Sequence, residues 1–75
     1  PMAMLEAMRA GLPCLATDVG GIAAVLADGC GQVVPPSDPP ALAAGLLRYA
    51  TDPAYAATVG AAGAARVAER YSLAS

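Results

Sequence analysis

Histidine, lysine, phenylalanine and tryptophan are all missing from this chain, and each absence closes a route. Without His, and with 2 Cys, no structural zinc site can be assembled. No serine or cysteine has an imidazole to activate it, which removes the usual nucleophile–base chemistry. Without Lys, the four cationic residues are scattered arginines and the net charge is −2, so no basic stripe exists for nucleic acid. Without Phe or Trp, and with 3 Tyr, the 57% apolar content rests mainly on alanine. Such a core buries little area per residue, so a domain of this size is marginal alone. Cys14 and Cys30 match no metal or redox spacing, and no disulfide between them is expected. Cys14 reads as a small buried hydrophobe. No apolar run reaches membrane-spanning length, and the start lacks the pattern of a signal peptide.

What remains is an ordered, alanine-rich α/β pattern of 75 residues, at most one small domain. Pro1 to Ala10 reads as a helix with proline near its first position and Gly11 after its last turn. Leu12 to Thr17 is a continuous apolar run, which suits a strand covered on both faces. Asp18-Val19-Gly20-Gly21 is a turn, and Ile22 to Ala27 a short apolar helix. Asp28 to Gly31 breaks that helix, and Gln32-Val33-Val34 is a second strand ended by Pro35-Pro36. A strand–helix–strand crossover implies parallel pairing. Two strands make no stable sheet by themselves, so the chain is expected to be an internal or C-terminal piece of a larger protein.

The second half is helical. Asp38 before Pro39-Pro40 and Asp52 before Pro53 each give a cap followed by proline. Leu42, Leu46 and Tyr49 fall on one face of the first of these helices. Tyr55, Val59, Ala62 and Val67 mark the second, which is expected to run to about Tyr71. Gly60 and Gly63 weaken it but permit close approach to a neighbour. Arg48, Arg66 and Arg70 read as solvated.

Glu6 is the candidate functional residue of the first helix. At 100° per residue it shares a face with Met2, Ala3 and Ala10, with Arg9 nearby. A helix apolar nearly all round is a buried helix, and a buried carboxylate needs a cation, donors or a ligand. The competing reading is a Glu6–Arg9 pair on a solvated edge. Met2, Met4 and Met8 read as core filler.

Open parallel sheets bind ligands at the carboxyl ends of strands and the amino ends of helices. Three places qualify. The first is the start of the Pro1 helix, with free backbone N–H groups and Glu6 one turn in. The second is Thr17 to Gly21, where two glycines let a ligand approach the backbone. The third is Val34 to Asp38. Tight-turn and helix-cap readings compete at the last two.

The run Pro-Met-Ala-Met-Leu-Glu-Ala-Met-Arg-Ala-Gly-Leu-Pro-Cys-Leu-Ala-Thr-Asp-Val-Gly-Gly-Ile resembles the C-terminal domain of retaining glycosyltransferases of family 4, the glycosyl transferases group 1 domain. The downstream Gly-Gln-Val-Val-Pro-Pro-Ser-Asp-Pro-Pro-Ala-Leu is similar to the same family, and nearly the whole chain is covered. The resemblance implies a GT-B fold, with residues 1–75 forming the second half of a Rossmann-like C-terminal domain. The N-terminal acceptor domain would lie outside the chain.

Several functional expectations follow from that resemblance. The family carries a pair of glutamates separated by seven residues, and Glu6 matches the second, which binds nucleotide ribose. The first, with the catalytic burden at the transferred sugar, would stand upstream of Pro1. Pro1, Met2 and Ala3 would line the diphosphate and sugar pocket by backbone, with Leu5 beside the nucleotide. Thr17, Gly20 and Gly21 would support the pocket. No metal or other cofactor is implied. The expected partners are a nucleotide sugar, a glycan, lipid or small-molecule acceptor, and the N-terminal domain of the same protein. The expected setting is the bacterial cytoplasm or the cytoplasmic face of the membrane, in polysaccharide or glycolipid synthesis. A non-catalytic scaffold or a GT-B sugar-nucleotide epimerase are the alternatives. The chain departs from the family at Ala24, where an acidic residue is common, and at Pro40.

Overall fold

The computed structural model describes residues 2–70, and the Pro1 and Tyr71 expectations lie outside them. The order is α1 (Met2–Arg9), β1 (Leu15–Thr17), α2 (Ile22–Val25), β2 (Gln32–Val34), α3 (Pro39–Thr51) and α4 (Pro53–Arg70). β1 and β2 pair in parallel, with Leu15 opposite Gln32, Ala16 opposite Val33 and Thr17 opposite Val34. The fold class is therefore the α/β crossover arrangement that the sequence implies. Among the described residues no helix is long and apolar enough to cross a membrane.

The end of α1 and the starts of α3 and α4 fall where the sequence places them. At the end of α1 the Leu12 N–H reaches the Ala7 carbonyl at 3.1 Å and the Gly11 N–H reaches Met8 at 2.9 Å. With Gly11 at φ 79°, this is the paired-bond glycine cap that satisfies orphan carbonyls. Asp38 caps α3 by accepting from the Ala41 N–H at 3.0 Å, and Asp52 caps α4 by accepting from the Tyr55 N–H at 3.0 Å. Removing such a cap costs about 1 kcal/mol. Asp38→Ala is therefore expected to lower stability by about that amount, read as a shift of the urea midpoint at constant slope.

The core is small. Met8, Cys14, Leu26, Cys30 and Val67 form its centre, and Met4, Leu5, Ala7, Ile22 and Ala62 pack around them. Both cysteines are free and buried. Val59 is 4% exposed and Val67 1%, so α4 buries the face that its spacing predicts. Gly60 and Gly63 lie on that face too. A Cβ on Gly60 would fall 2.0 Å from the Gly11 carbonyl oxygen, so this glycine exists for close approach between α4 and the end of α1.

Five expectations need correction. First, α1 is not buried all round. Met8 is enclosed, whereas Ala3, Glu6, Arg9 and Ala10 are exposed. The face that Glu6 shares with alanines is the one turned outward, because alanine contributes little area to a contact. Second, α2 ends at Val25 rather than Ala27, since Leu26 turns inward to 2% exposure. Third, pairing of β1 begins at Leu15 rather than Leu12, consistent with Pro13 having no N–H to contribute.

Fourth, the Leu42–Leu46–Tyr49 face of α3 is only partly used. Gly45 is buried and the Tyr49 hydroxyl donates to the Cys14 carbonyl at 2.6 Å. Leu42 and Leu46 stay 40% and 55% exposed, because two strands are too narrow to cover the whole face. Fifth, Arg66 is not solvated but 9% exposed, with three hydrogen-bond partners.

Candidate functional site

The site begins with the crossover. Parallel strands joined by a helix place their carboxyl ends on one side, with the amino ends of the following helices beside them. Thr17 and Val34 are the paired last residues of β1 and β2. The Asp18 N–H then donates to the Val34 carbonyl at 2.8 Å, which holds the two strand ends together.

From there the chain turns sharply. The Val19 N–H reaches back to the Thr17 carbonyl at 2.9 Å, and the Ile22 N–H reaches Val19 at 3.1 Å. Gly20 and Gly21 lie between at φ 54° and 84°. A Cβ on either would meet nothing within 4 Å, so crowding does not select glycine here. The left-handed backbone does.

Beside this turn runs α1. A groove of about 480 Å³ runs along β1, lined by Ala3 and Met4 from α1, Cys14 just before β1, Leu15, Ala16 and Thr17 of β1, Val19 of the turn and Ile22 at the start of α2. The groove thus brings together the first two of the three sequence-predicted places. Ala3 lines it directly, and so does Thr17, which is exposed at the strand end. Gly20 and Gly21 sit between two lining residues, Val19 and Ile22. Met2 opens α1, but its side chain is outside the described residues, as is all of Pro1.

Glu6 is exposed, one turn beyond Ala3 on the same side of α1. Among the described residues the ion pair formed is Arg66 with Asp28, so Glu6 and Arg9 do not pair. Its carboxylate is therefore open to a ligand from outside the chain. Leu5 is half-buried and packs against the core, next to the groove-lining Met4. In the third place, Val34 to Asp38, Val34 is buried, Pro35 to Ser37 are exposed, and Asp38 is occupied in capping α3. Pro40 is the second residue of α3 and alters only the helix start.

Cys14 lines the groove, and the Tyr49 hydroxyl donates to its carbonyl. Burial pushes the Cys14 thiol up from its ordinary range, so Cys14 offers no thiolate nucleophile at neutral pH. Burial, followed by the neighbouring Tyr55, pushes the Tyr49 phenol up. Tyr49 stays a neutral donor to the Cys14 carbonyl just before β1. Among the described residues no three His, Cys, Asp or Glu side chains gather as a metal site. Sequence reasoning missed Arg66, because a lone arginine in an alanine-rich helix carries no signal of what packs against it.

The family model described as glycosyl transferases group 1 matches residues 1–52. A D-inositol 3-phosphate glycosyltransferase from Streptomyces avermitilis is 48% identical over 66 residues, which cover 87% of this chain and 14% of that protein. Among solved structures, a sucrose-phosphate synthase from Thermosynechococcus elongatus superposes with a TM-score of 0.86 at 38% identity. That match covers 92% of this chain and 18% of that one, so the chain spans less than a fifth of either relative.

Proposed function

This chain belongs to the glycosyl transferases group 1 family, and from that premise we propose that it forms the donor-binding part of a retaining glycosyltransferase that uses a nucleotide-diphosphate sugar. The observation that carries the reading is the groove itself. It runs the length of β1 and reaches that parallel strand's carboxyl end, between the amino-terminal half of α1 and a double-glycine turn. That is where an open α/β sheet takes a nucleotide.

The division of labour follows from the chemistry of the groups. The first N–H groups of α1 have no partner within the helix and suit a diphosphate. Glu6, exposed one turn further on, accepts two hydrogen bonds from the vicinal hydroxyls of a ribose. Ala3 and the backbone around it line the diphosphate and sugar, as do Pro1 and Met2. Leu5 supports the nucleotide side of α1. Thr17 lines the groove at the strand end, and Gly20 and Gly21 support it by turning the chain between Val19 and Ile22.

In the reaction, negative charge grows on the diphosphate as the glycosidic bond breaks. Donors already aimed at that position stabilise it without reorganising. On this reading no metal is required. The catalytic glutamate that partners Glu6 stands upstream of Pro1, and the acceptor, a glycan, lipid or small molecule, is held by a separate N-terminal domain. On this reading the reaction takes place in the cytoplasm, with which two buried free thiols are compatible.

The test is Glu6→Ala in the full-length enzyme. Losing hydrogen bonds to a charged group is expected to weaken nucleotide-sugar binding by about 1–3 kcal/mol. Because Glu6 is exposed and unpaired, unfolding should be unchanged within about 0.5 kcal/mol. Calorimetric titration of the donor checks the first value, and urea unfolding the second. Equal donor affinity in the two proteins would remove Glu6 from the site.

A further inference from the structure

Among the described residues Arg66 is the buried charged one, and the site described so far does not use it. Enclosing a guanidinium is unfavourable unless its donors are satisfied. Here every arm is engaged. Nε donates to the Cys30 sulfur at 3.2 Å, Nη1 to the Ala24 carbonyl at 3.2 Å, and Nη2 to the Asp28 carboxylate at 2.6 Å. All three acceptors lie in the stretch 24–30, which links α2 to β2. A guanidinium is a rigid planar fork, so three acceptors at set places fix that stretch against α4.

Leu26 and Cys30 anchor the later part of the stretch in the core, and the Cys30 thiol also reaches the Ala62 carbonyl of α4 at 3.5 Å, but α2 itself has less to hold it. α2 is one turn, with no side-chain cap and no buried residue of its own. Its amino end follows Gly20 and Gly21, and its last turn presents the Ala24 carbonyl to Arg66. Asp28 stands at φ 60°, a left-handed conformation that costs a non-glycine residue and that the ion pair helps to offset.

We propose that Arg66 is a positioning residue for the donor groove: by tying Ala24, Asp28 and Cys30 to α4 it fixes α2, whose Ile22 lines the groove, and through α2 the Gly20–Gly21 turn beside it. The proposal rests on reading that groove as the donor site. Arg66 touches no ligand itself. Its effect is to hold the turn in the conformation the nucleotide meets.

The experiment compares Arg66→Met, Arg66→Lys and Asp28→Gly in the full-length enzyme. UDP, GDP and ADP are the probes, titrated into the gel-filtered folded fraction. Loss of a charged three-point contact is expected to weaken binding of the preferred nucleotide about tenfold in Arg66→Met. Amide protection at residues 22–26 should fall with it. Arg66→Lys keeps the charge and one contact, and recovers part of both losses. Asp28→Gly removes the carboxylate where the backbone suits glycine, and should weaken binding about threefold while leaving the fold intact. Should Arg66→Met fail to fold, the other two variants carry the same measurements.

A purely structural arginine would lower the melting temperature while leaving affinity and the protection of residues 22–26 untouched, and that result overturns the proposal. An unsubstituted enzyme that binds none of the three nucleotides overturns the donor reading and this inference together. Weakened binding in Glu6→Ala with normal binding in all three variants here overturns this inference alone.

Discussion

Gly60→Ala is expected to be among the most damaging single-methyl changes available in this chain. Two effects oppose each other. Alanine in a helix interior is favoured over glycine by about 0.8–1.0 kcal/mol. Against that, the new Cβ would lie 2.0 Å from the Gly11 carbonyl oxygen and 2.9 Å from its carbon. These are backbone atoms in a glycine cap that closes α1, so no side-chain rotation relieves the overlap. The helices must separate, and overpacking of this kind costs about 3 kcal/mol or more. The clash wins, with a net loss of about 2 kcal/mol or more of unfolding free energy.

Gly63→Ala is the control within the same helix. There the nearest backbone oxygen, that of Cys30, is 3.2 Å away and the other close atoms belong to the flexible Met8. A shift of a few tenths of an ångström suffices, so propensity and crowding nearly cancel. Urea unfolding of both variants checks the contrast. A separated α1–α4 contact should also displace α1, so donor affinity is expected to fall in Gly60→Ala and to hold in Gly63→Ala.

Local rules made much of this architecture legible. The Gly11 stop, the Asp38 and Asp52 caps with their prolines, and the crossover from β1 to β2 are all written in short-range chemistry, and each stands where the residues place it. Burial was less legible. A helix of alanine and methionine looks apolar all round, yet alanine faces can be left in water at little cost. Periodicity alone therefore placed Glu6 inside when it lies outside. The leucines of α3 erred in the same direction, because spacing marks a face and not whether the sheet is wide enough to cover it.

Long-range contacts were illegible for a different reason. Arg66 meets Ala24, Asp28 and Cys30 from far along the chain, and no local pattern announces such a partner. The groove itself was legible, since strand ends and helix starts follow from element order. What element order could not supply is that Ala3 and Thr17 share one wall system while Glu6 stands beside it.

Met8→Ala should separate what holds α1 in place from what α1 does. Met8 is 0% exposed, at the centre of the core with Leu26 and Val67. Truncating a buried methionine costs about 2–5 kcal/mol, from lost transfer energy and the cavity left behind. The upper half of that range is expected, because Met8 covers the otherwise bare backbone of Gly63 and alanine cannot. Met8→Leu nearly conserves volume and should lose less than about 1.5 kcal/mol. Met8 and Glu6 lie two residues apart on opposite sides of one helix, one enclosed and one exposed. If Glu6 acts on the ligand and Met8 on the fold, Met8→Ala shifts the unfolding midpoint strongly, and its folded fraction keeps donor affinity closer to normal than Glu6→Ala does. Glu6→Ala gives the reverse. A Glu6→Ala protein that lost stability instead of affinity would show the carboxylate to be part of the scaffold, and the donor site would then have to be sought elsewhere along the groove.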